Sequence, residues 1–325
     1  MRIKFFTEGG KGIGFGHLMR CLSLCQAFEE VSGECLFVIR GTEEVRTALN
    51  RPLKLLDWLE DIELFERELK DAHLIVIDSY LAKPEHYEIS CKKAGRNLFI
   101  DDFGRMAYPC GYVLNGSVYA KDLNYPQRRD VVYLLGSEYT PLRRAFWEVQ
   151  QKEIREKVEK VLITFGGDDS KGMTRKVVNA LEREFPYLEK LVVVGSSYKN
   201  REELYALASE KVKIYENLPA EGMKNLMLKA DIAISAGGQT TYELAAVGVP
   251  SVLVAVADNQ LLNCKSWHKE GFALYAGWWE DENIEEMVLA AVEKLLKHQL
   301  RLFSSTVGRR LVDGQGARRV AHKIS

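Results

Sequence analysis

No sign of charge dominates this chain: 45 lysines and arginines meet 46 aspartates and glutamates, for a net charge of −1. A nucleic acid calls for a basic face, so no nucleic-acid partner is expected. Metal-binding spacing is absent too. None of the cysteines (Cys21, Cys25, Cys35, Cys91, Cys110 and Cys264) forms a C-x-x-C pair. None of the histidines (His17, His73, His86, His268, His298 and His322) stands in an H-x-H or H-x-x-x-H pattern. No metal site is therefore expected. The cysteines lie in apolar or helical contexts and read as reduced packing residues of a cytoplasmic protein. Proline is scarce, 8 in 325 residues, and no low-complexity tract is present, which argues against long linkers. The opening MRIKFFTEGG has no apolar core and no small-residue cleavage site, so no secretory leader is expected. The longest apolar stretch, Val249 to Ala257, is interrupted by Pro250 and Ser251. It is roughly half the length of a membrane span, so none is expected. With 46% hydrophobic and 28% charged residues, disorder is excluded as the main state.

What is present is a repeated unit: a short apolar run, a glycine-containing turn, then an amphipathic helix. In the first half the runs are Ile3–Phe6, Cys35–Ile39, Leu74–Asp78, Leu98–Asp101, Tyr112–Leu114 and Val131–Leu135. In the second they are Lys160–Phe165, Lys190–Val194, Val212–Tyr215, Ile232–Ser235, Ser251–Val256 and Phe272–Tyr275. Most are continuous rather than alternating, as strands buried on both faces of a parallel sheet are. Strands alternating with helices predict βαβ units. The rhythm pauses after Gly136, where a charged stretch from Ala145 to Lys160 reads as a helix. The expected α/β architecture is two Rossmann-like, doubly wound parallel-sheet domains, 1–145 and 146–325, with a cleft between them. The segment from Arg301 to Ser325, with Arg309, Arg310, Arg318 and Arg319, reads as a solvated helix that can pack back across the cleft. The segment from Arg51 to Asp71 is left unassigned.

Ligands of open α/β sheets sit at the carboxyl ends of the strands. The first such loop is Glu8-Gly9-Gly10-Lys11-Gly12-Ile13-Gly14-Phe15-Gly16-His17, followed by a helix with Leu18, Leu22, Cys25 and Phe28 on one face. It is no dinucleotide fingerprint, because the third glycine position is His17, and Arg40 and Gly41 stand where an acidic ribose partner would end the second strand. His17 lies near the positive end of that helix, which disfavours imidazolium. A neutral imidazole beside a glycine-lined pocket can act as a general base, or simply tie down a loop. The second loop holds Gly166, Gly167, Asp168 and Asp169. The glycines can offer amides to a phosphate, while the aspartates suit a helix cap or a sugar. The third runs Ser235-Ala236-Gly237-Gly238-Gln239-Thr240-Thr241-Tyr242-Glu243. Small residues there free the amides of a helix N-terminus for an anion. Thr240 and Glu243 have capping-box spacing, so Glu243 has a structural explanation beside a ribose-binding one. Asp258-Asn259-Gln260 follow another strand end, as do Asp78-Ser79-Tyr80. Asp101 and Asp102 are adjacent on an extended chain, so their side chains diverge and form no obvious carboxylate pair.

Taken in order, these residues resemble the UDP-sugar hydrolases of pseudaminic acid biosynthesis, within the GT-B superfamily. The carrying residues are Ile13-Gly14-Phe15-Gly16-His17-x-x-Arg20-Cys21-Leu22, Ile77-Asp78-x-Tyr80, Gly166-Gly167-Asp168, Ser235 to Leu244 with Gly248-Val249-Pro250, and Asp258-Asn259-Gln260. The resemblance implies a GT-B fold, no cofactor and no metal. It implies hydrolysis of UDP-2,4-diacetamido-2,4,6-trideoxy-β-L-altrose to the free sugar and UDP. His17 would activate water, and Tyr80 and Asn259 would line the sugar site. Gly237, Gly238, Gln239, Thr240 and Thr241 would hold the diphosphate and Glu243 the ribose. Gly14, Gly16, Arg20, Gly166, Gly167, Asp168 and Gln260 complete the implied substrate contacts. The chain departs from the family at Glu8-Gly9-Gly10, where an aspartate and small residues are usual. The peptidoglycan N-acetylglucosaminyltransferase is a more distant relative, and other relatives serve spore-coat polysaccharide synthesis. A UDP-sugar glycosyltransferase and a non-catalytic UDP-sugar-binding protein are therefore the competing expectations. The oligomeric state is left open, with a monomer admitted.

Overall fold

In the computed structural model all residues are described except Lys11, Gly12, Asp168 and Ser196, and Ala48 is described by its backbone alone. The chain forms two compact units, Met1–Arg144 with Gln315–Ser325, and Ala145–Gly314.

The first unit runs β1 (Arg2–Gly9), α1 (Gly16–Glu30), β2 (Glu34–Gly41), α2 (Glu44–Leu49), β3 (Leu53–Leu55), α3 (Ile62–Glu68), β4 (Leu74–Asp78), α4 (Pro84–Lys93), β5 (Arg96–Ile100), β6 (Gly111–Asn115) and β7 (Val131–Leu135). The strands form one parallel sheet in the order β3-β2-β1-β4-β5-β6-β7. Its centre is apolar on both faces, and β4 is buried at every position. That is the physical basis of the continuous apolar runs. On one face α1 buries Leu18, Cys21, Leu24, Cys25 and Phe28, with Phe28 edge-on to Phe5. Leu22, expected on that face, is only half-buried. On the other face Phe6 packs edge-on against Trp58 and Phe65.

Trp58 and Phe65 come from the stretch the sequence left unassigned. It supplies β3, an edge strand on β2, and α3, capped by the Asp61 side chain at Leu64 N. A three-residue strand after Pro52 is too short to show a period. One expectation fails outright. Cys91, in α4, and Cys110, just before β6, form a disulfide with Cα atoms 6.0 Å apart, so the reduced reading does not hold for this pair. Only the fold brings them together, and sequence context gave no sign of it. Cys21, Cys25, Cys35 and Cys264 are free thiols.

The second unit runs β8 (Lys160–Thr164), α5 (Met173–Glu184), β9 (Glu189–Val194), α6 (Arg201–Tyr205), β10 (Val212–Glu216), α7 (Ala220–Lys229), β11 (Ile232–Ala236), α8 (Thr240–Val247), β12 (Ser251–Ala255), α9 (Asp258–Glu270), β13 (Ala273–Trp278), α10 (Ile284–Leu295) and α11 (His298–Leu311). Its sheet is also parallel, in the order β10-β9-β8-β11-β12-β13. Every strand expected from the sequence is present, with ends moved by a few residues.

The helix expected from Ala145 to Lys160 is absent: beyond a single tight turn at Arg144–Phe146 the segment is irregular. Tertiary bonds overrule its helix-favouring composition. Its carbonyls are taken by side chains of α11: Arg301 donates to Arg155 O (2.8 Å) and Glu156 O (2.7 Å), and Arg309 donates to Gln150 O (3.2 Å). Lys152 is buried and donates to Leu228 O (2.6 Å). Arg155 pairs with the buried Asp231. The solvated helix expected from Arg301 onward is likewise corrected. It is two helices, α11 and α12 (Gly316–Ile324), and Arg301 is fully buried. α12 belongs to the first unit, where it packs on α1 and buries Ala317, Val320, Ala321 and Ile324. Arg318 clamps Glu30 with two bonds (2.7 and 2.9 Å), and Arg96 donates to Ile324 O.

Candidate functional site

In the first unit the chemistry gathers where β1, β4 and β5 end. Gly10 and Gly14 exchange backbone bonds (3.0 and 2.9 Å), closing the glycine loop on itself. Gly14 has φ +94°, a conformation that favours glycine, and a Cβ there or on Gly16 would meet only open space. The loop delivers His17 as the second residue of α1. Its Nδ1 lies 2.7 Å from Oδ1 of Asp78, the last residue of β4. Asp78 is fully buried. A carboxylate only accepts, so Nδ1 carries the hydrogen between them, and the neutral form of the imidazole has its lone pair on Nε2.

Arg20, one turn further along α1, locks this arrangement. It donates to Asp78 through Nε (2.6 Å) and Nη2 (2.6 Å), and to both oxygens of Asp102 through Nη1 (2.8 Å each). Its Nη2 also lies 3.2 Å from His17 Nδ1. Burial alone would raise the Asp78 carboxyl, but Arg20 and His17 together outweigh it and hold the group well below the usual carboxylate range. Burial alone would lower Arg20, and Asp102 and Asp78 more than reverse that. Tyr80 completes the cluster. Its hydroxyl donates to Asp102, its ring stands edge-on to His17 (4.5 Å between centroids), and its amide donates to Glu8 Oε1 (3.1 Å). Burial and the Asp102 charge push the phenol up, so it stays protonated. The other oxygen of Glu8 is buried and has no hydrogen-bond partner among the described residues. Asp101 turns away from Asp102, as expected of neighbours on an extended chain, and accepts from Arg105 and Tyr125.

Thus His17, Arg20 and Tyr80 form one cluster, and two residues not singled out as site residues, Asp78 and Asp102, hold it together. Both stood in view as carboxylates at strand ends, but the sequence does not say which of them face α1.

In the second unit the two glycine turns are held in different ways. After β8, Asp169 accepts from Met173 N (3.0 Å) and Thr174 N (2.8 Å), so a side chain already fills the first turn of α5. Asp168 lies outside the described residues. At Gly166 and Gly167 a Cβ would meet nothing within 4 Å. After β11 the N-cap of α8 is Gln239, whose own side chain makes no cap bond. Thr240 is the first helical residue, so the Thr240/Glu243 capping box does not form. The turn is braced from α9 instead. Gln260 Oε1 accepts from Gly237 N (3.1 Å) and Val256 N (3.2 Å). Asn263 donates to Gly237 O (2.8 Å), and Trp267 donates to Thr241 Oγ1 (2.9 Å). Sequence reasoning missed Asn263 and Trp267, whose only signal is their spacing from Gln260 along one helix. A Cβ on Gly237 would run into Cys264 Sγ, whereas on Gly238 the nearest atom is 3.9 Å away. Glu243 is buried in the first turn of α8 and Asn259 is exposed at the start of α9.

Two parallel-sheet α/β units of this kind make a GT-B-like fold, and solved structures share it. The Acinetobacter baumannii MurG structure superposes with a TM-score of 0.70 at 15% identity, over 100% of this chain and 99% of that one. The Staphylococcus aureus MnaA–UDP co-structure gives 0.67 at 13% identity, over 99% and 95%. Residues 160–313 match the glycosyltransferase family 28 C-terminal domain. The resemblance drawn from the motifs is also found among curated proteins. The chain is 26% identical to the spore coat polysaccharide biosynthesis protein SpsG of Bacillus subtilis (strain 168), over 98% of this chain and 96% of that protein. It is 26% identical to the UDP-2,4-diacetamido-2,4,6-trideoxy-beta-L-altropyranose hydrolase of Campylobacter jejuni, over 62% and 71%. It is 24% identical, over 83% of its own length, to a Helicobacter pylori protein named as both a pseudaminic acid cytidylyltransferase and that hydrolase. There it spans about half, 47%, of the longer protein. No helix among the described residues is long and apolar enough to cross a membrane.

Proposed function

We propose that this chain is a UDP-sugar hydrolase that cleaves a UDP-linked 2,4-diacetamido-2,4,6-trideoxy hexose to free sugar and UDP, without a metal, in nonulosonic acid biosynthesis of the pseudaminic type. The observation that carries the reading is the buried Asp78 at 2.7 Å from His17 Nδ1, which leaves Nε2 as the free base. In the proposed step a water oxygen attacks the anomeric carbon while Nε2 takes its proton. The bond from that carbon to the β-phosphate oxygen breaks, and UDP departs with the electron pair. A diphosphate leaving group needs positive potential more than a proton, so one base suffices. The N-terminus of α8, with Gly237, Gly238, Gln239, Thr240 and Thr241, would supply that potential, and Glu243 would accept from the ribose. Tyr80 and Asn259 would meet the sugar. Gly14, Gly16, Gly166 and Gly167 would allow close backbone approach, and Gln260 would brace the α8 turn. Asp168 stays in the proposal on the resemblance alone. Arg20, expected as a substrate contact, would instead position the base, since its donors already face Asp78 and Asp102.

The test is UDP release from UDP-acetamido sugars with chelator present and no acceptor, comparing wild type with His17→Ala. A loss of about a hundredfold or more in the variant is expected. A second reading, transfer of the sugar to a surface or spore-coat polysaccharide, is favoured by the family 28 domain match and by the likeness to SpsG. UDP release that appears only when an acceptor is added would establish transfer in place of hydrolysis.

A further inference from the structure

Beside the His17 cluster lies a feature that neither folding nor the proposed base chemistry explains. Phe103 is 37% exposed and Tyr80 40%, although large aromatic rings elsewhere in this unit are largely buried. Phe103 is not loosely held. The residue before it, Asp102, is bidentate to Arg20. Its own amide donates to the buried Asp101 (3.3 Å), as does the amide of Arg105 (3.3 Å). Arg105 in turn bonds the hydroxyls of Tyr87 (3.1 Å) and Tyr108 (3.3 Å) and places its guanidinium 5.5 Å from the Tyr80 ring centre. A strongly anchored backbone therefore presents an unburied ring. The rings form a row outward from the base: His17 to Tyr80 at 4.5 Å, then Tyr80 to Phe103 at 5.8 Å. The Tyr80 proton is directed to Asp102, so toward a ligand the phenol oxygen offers lone pairs.

We propose that Phe103 is a specificity-determining residue that reads a methyl group on the sugar, favouring a 6-deoxy hexose over its 6-hydroxy counterpart. The inference rests on the hydrolase reading and deepens it. With the anomeric carbon at His17, the pyranose lies along the row of rings. Donors of the sugar meet the Tyr80 oxygen, and the far apolar substituent lies against Phe103. An apolar surface favours a methyl there because a hydroxymethyl would lose its water without gaining a partner. Such surfaces reject an added hydroxyl only modestly, by about 10- to 100-fold.

The experiment uses two UDP-2,4-diacetamido hexoses that differ only at C6, methyl against hydroxymethyl. Affinity is measured by calorimetry and kcat/KM by UDP release, for wild type, Phe103→Ala and Phe103→Leu. Wild type should prefer the methyl sugar by about tenfold or more in both readouts. Phe103→Ala should bring that ratio to within about threefold while UDP itself binds unchanged, and Phe103→Leu should restore most of the preference. A ratio in Phe103→Ala equal to that of wild type overturns the proposal, as does a wild type that binds both sugars alike. Calorimetry reads the preference without turnover. A wild type that discriminates in binding but releases no UDP would refute the hydrolase reading and leave the role of Phe103 supported.

Discussion

Replacing Asp78 by asparagine keeps the shape of the side chain and removes its charge. The aspartate accepts from His17 Nδ1 (2.7 Å) and from Arg20 Nε and Nη2 (2.6 Å each). An asparagine has one carbonyl oxygen and one amide. With the amide in the Oδ1 place it faces both His17 Nδ1 and Arg20 Nη2; it opposes the Arg20 donor and drives the imidazole to its other tautomer, which puts a proton on Nε2 and removes the lone pair a base requires. With the amide in the Oδ2 place, the oxygen still accepts from His17 Nδ1 and Arg20 Nη2 and the amide opposes Arg20 Nε alone; buried unsatisfied groups cost about 1–3 kcal/mol. Both arrangements remove the negative charge that supports the protonated base, and the first also removes its lone pair, so kcat for UDP release should fall by about 10²- to 10⁴-fold with a smaller change in KM. Stability should fall by about 2–4 kcal/mol, because charge-assisted bonds are weakened while Asp102 still holds Arg20. The pH dependence has a definite sign. The folded carboxyl lies below its ordinary value of 3.8, so its ionisation stabilises the fold above that value and the contribution fades as pH falls through the lower folded value. Urea unfolding should therefore show a constant gap between wild type and Asp78→Asn from neutral pH to about pH 5, closing below about pH 4. A folded Asp78→Asn protein with kcat within about threefold of wild type would refute the assignment of Asp78 as the residue that orients the base.

The two glycine turns should respond differently to added methyl groups. Gly237→Ala forces a Cβ into Cys264 Sγ and should cost about 1–3 kcal/mol by thermal melting. Gly238→Ala has 3.9 Å of clearance, so it should melt within about 1 kcal/mol of wild type yet weaken UDP binding in calorimetry; unchanged binding would remove the α8 turn from the diphosphate site. Asp169→Ala should cost about 1–2 kcal/mol through the lost α5 cap and leave UDP affinity unchanged, whereas an affinity loss would point to α5 as the anion site. Burial pushes the Lys152 ammonium down to about 8 from 10.5. The folded state then releases a proton before the unfolded state does, so stability should rise between those values, by up to about 3 kcal/mol. Lys152→Met should flatten the unfolding free energy across that window, and an unaltered slope would mean the ammonium is not desolvated.

Reading the sequence worked best where a single physical pressure acts. A strand covered on both faces must be apolar throughout, so β4, β11 and β12 declare themselves in LIVID, IAISA and SVLVA. It failed where distant partners decide. The stretch from Ala145 to Lys160 has the composition of a helix, but Arg301 and Arg309 reach its carbonyls from far along the chain, and a helix would have withdrawn those carbonyls from them. The site divides in the same way. Glycines flanking His17 mark a place where backbone must approach a ligand. Yet the difference between Asp101, which ties Arg105 and Tyr125, and Asp102, which ties Arg20 and Tyr80, lies in the alternation of side chains at the end of β5. The choice between the two helix N-termini was equally hidden. Only the structure shows that Asp169 closes α5 and that the α8 turn is braced from α9.

The return of α12 to the first unit bears on how the protein is made. The helix that carries His17 has one flank covered by Val320, Ala321 and Ile324, residues synthesised after the whole of the second unit. As the chain leaves the ribosome, the second unit can complete its core while the first still lacks a wall. Until then α1 exposes an apolar stripe to whatever chaperone or neighbouring chain is near. The histidine proposed as the base is thus translated before the second unit and held in a finished fold only after it.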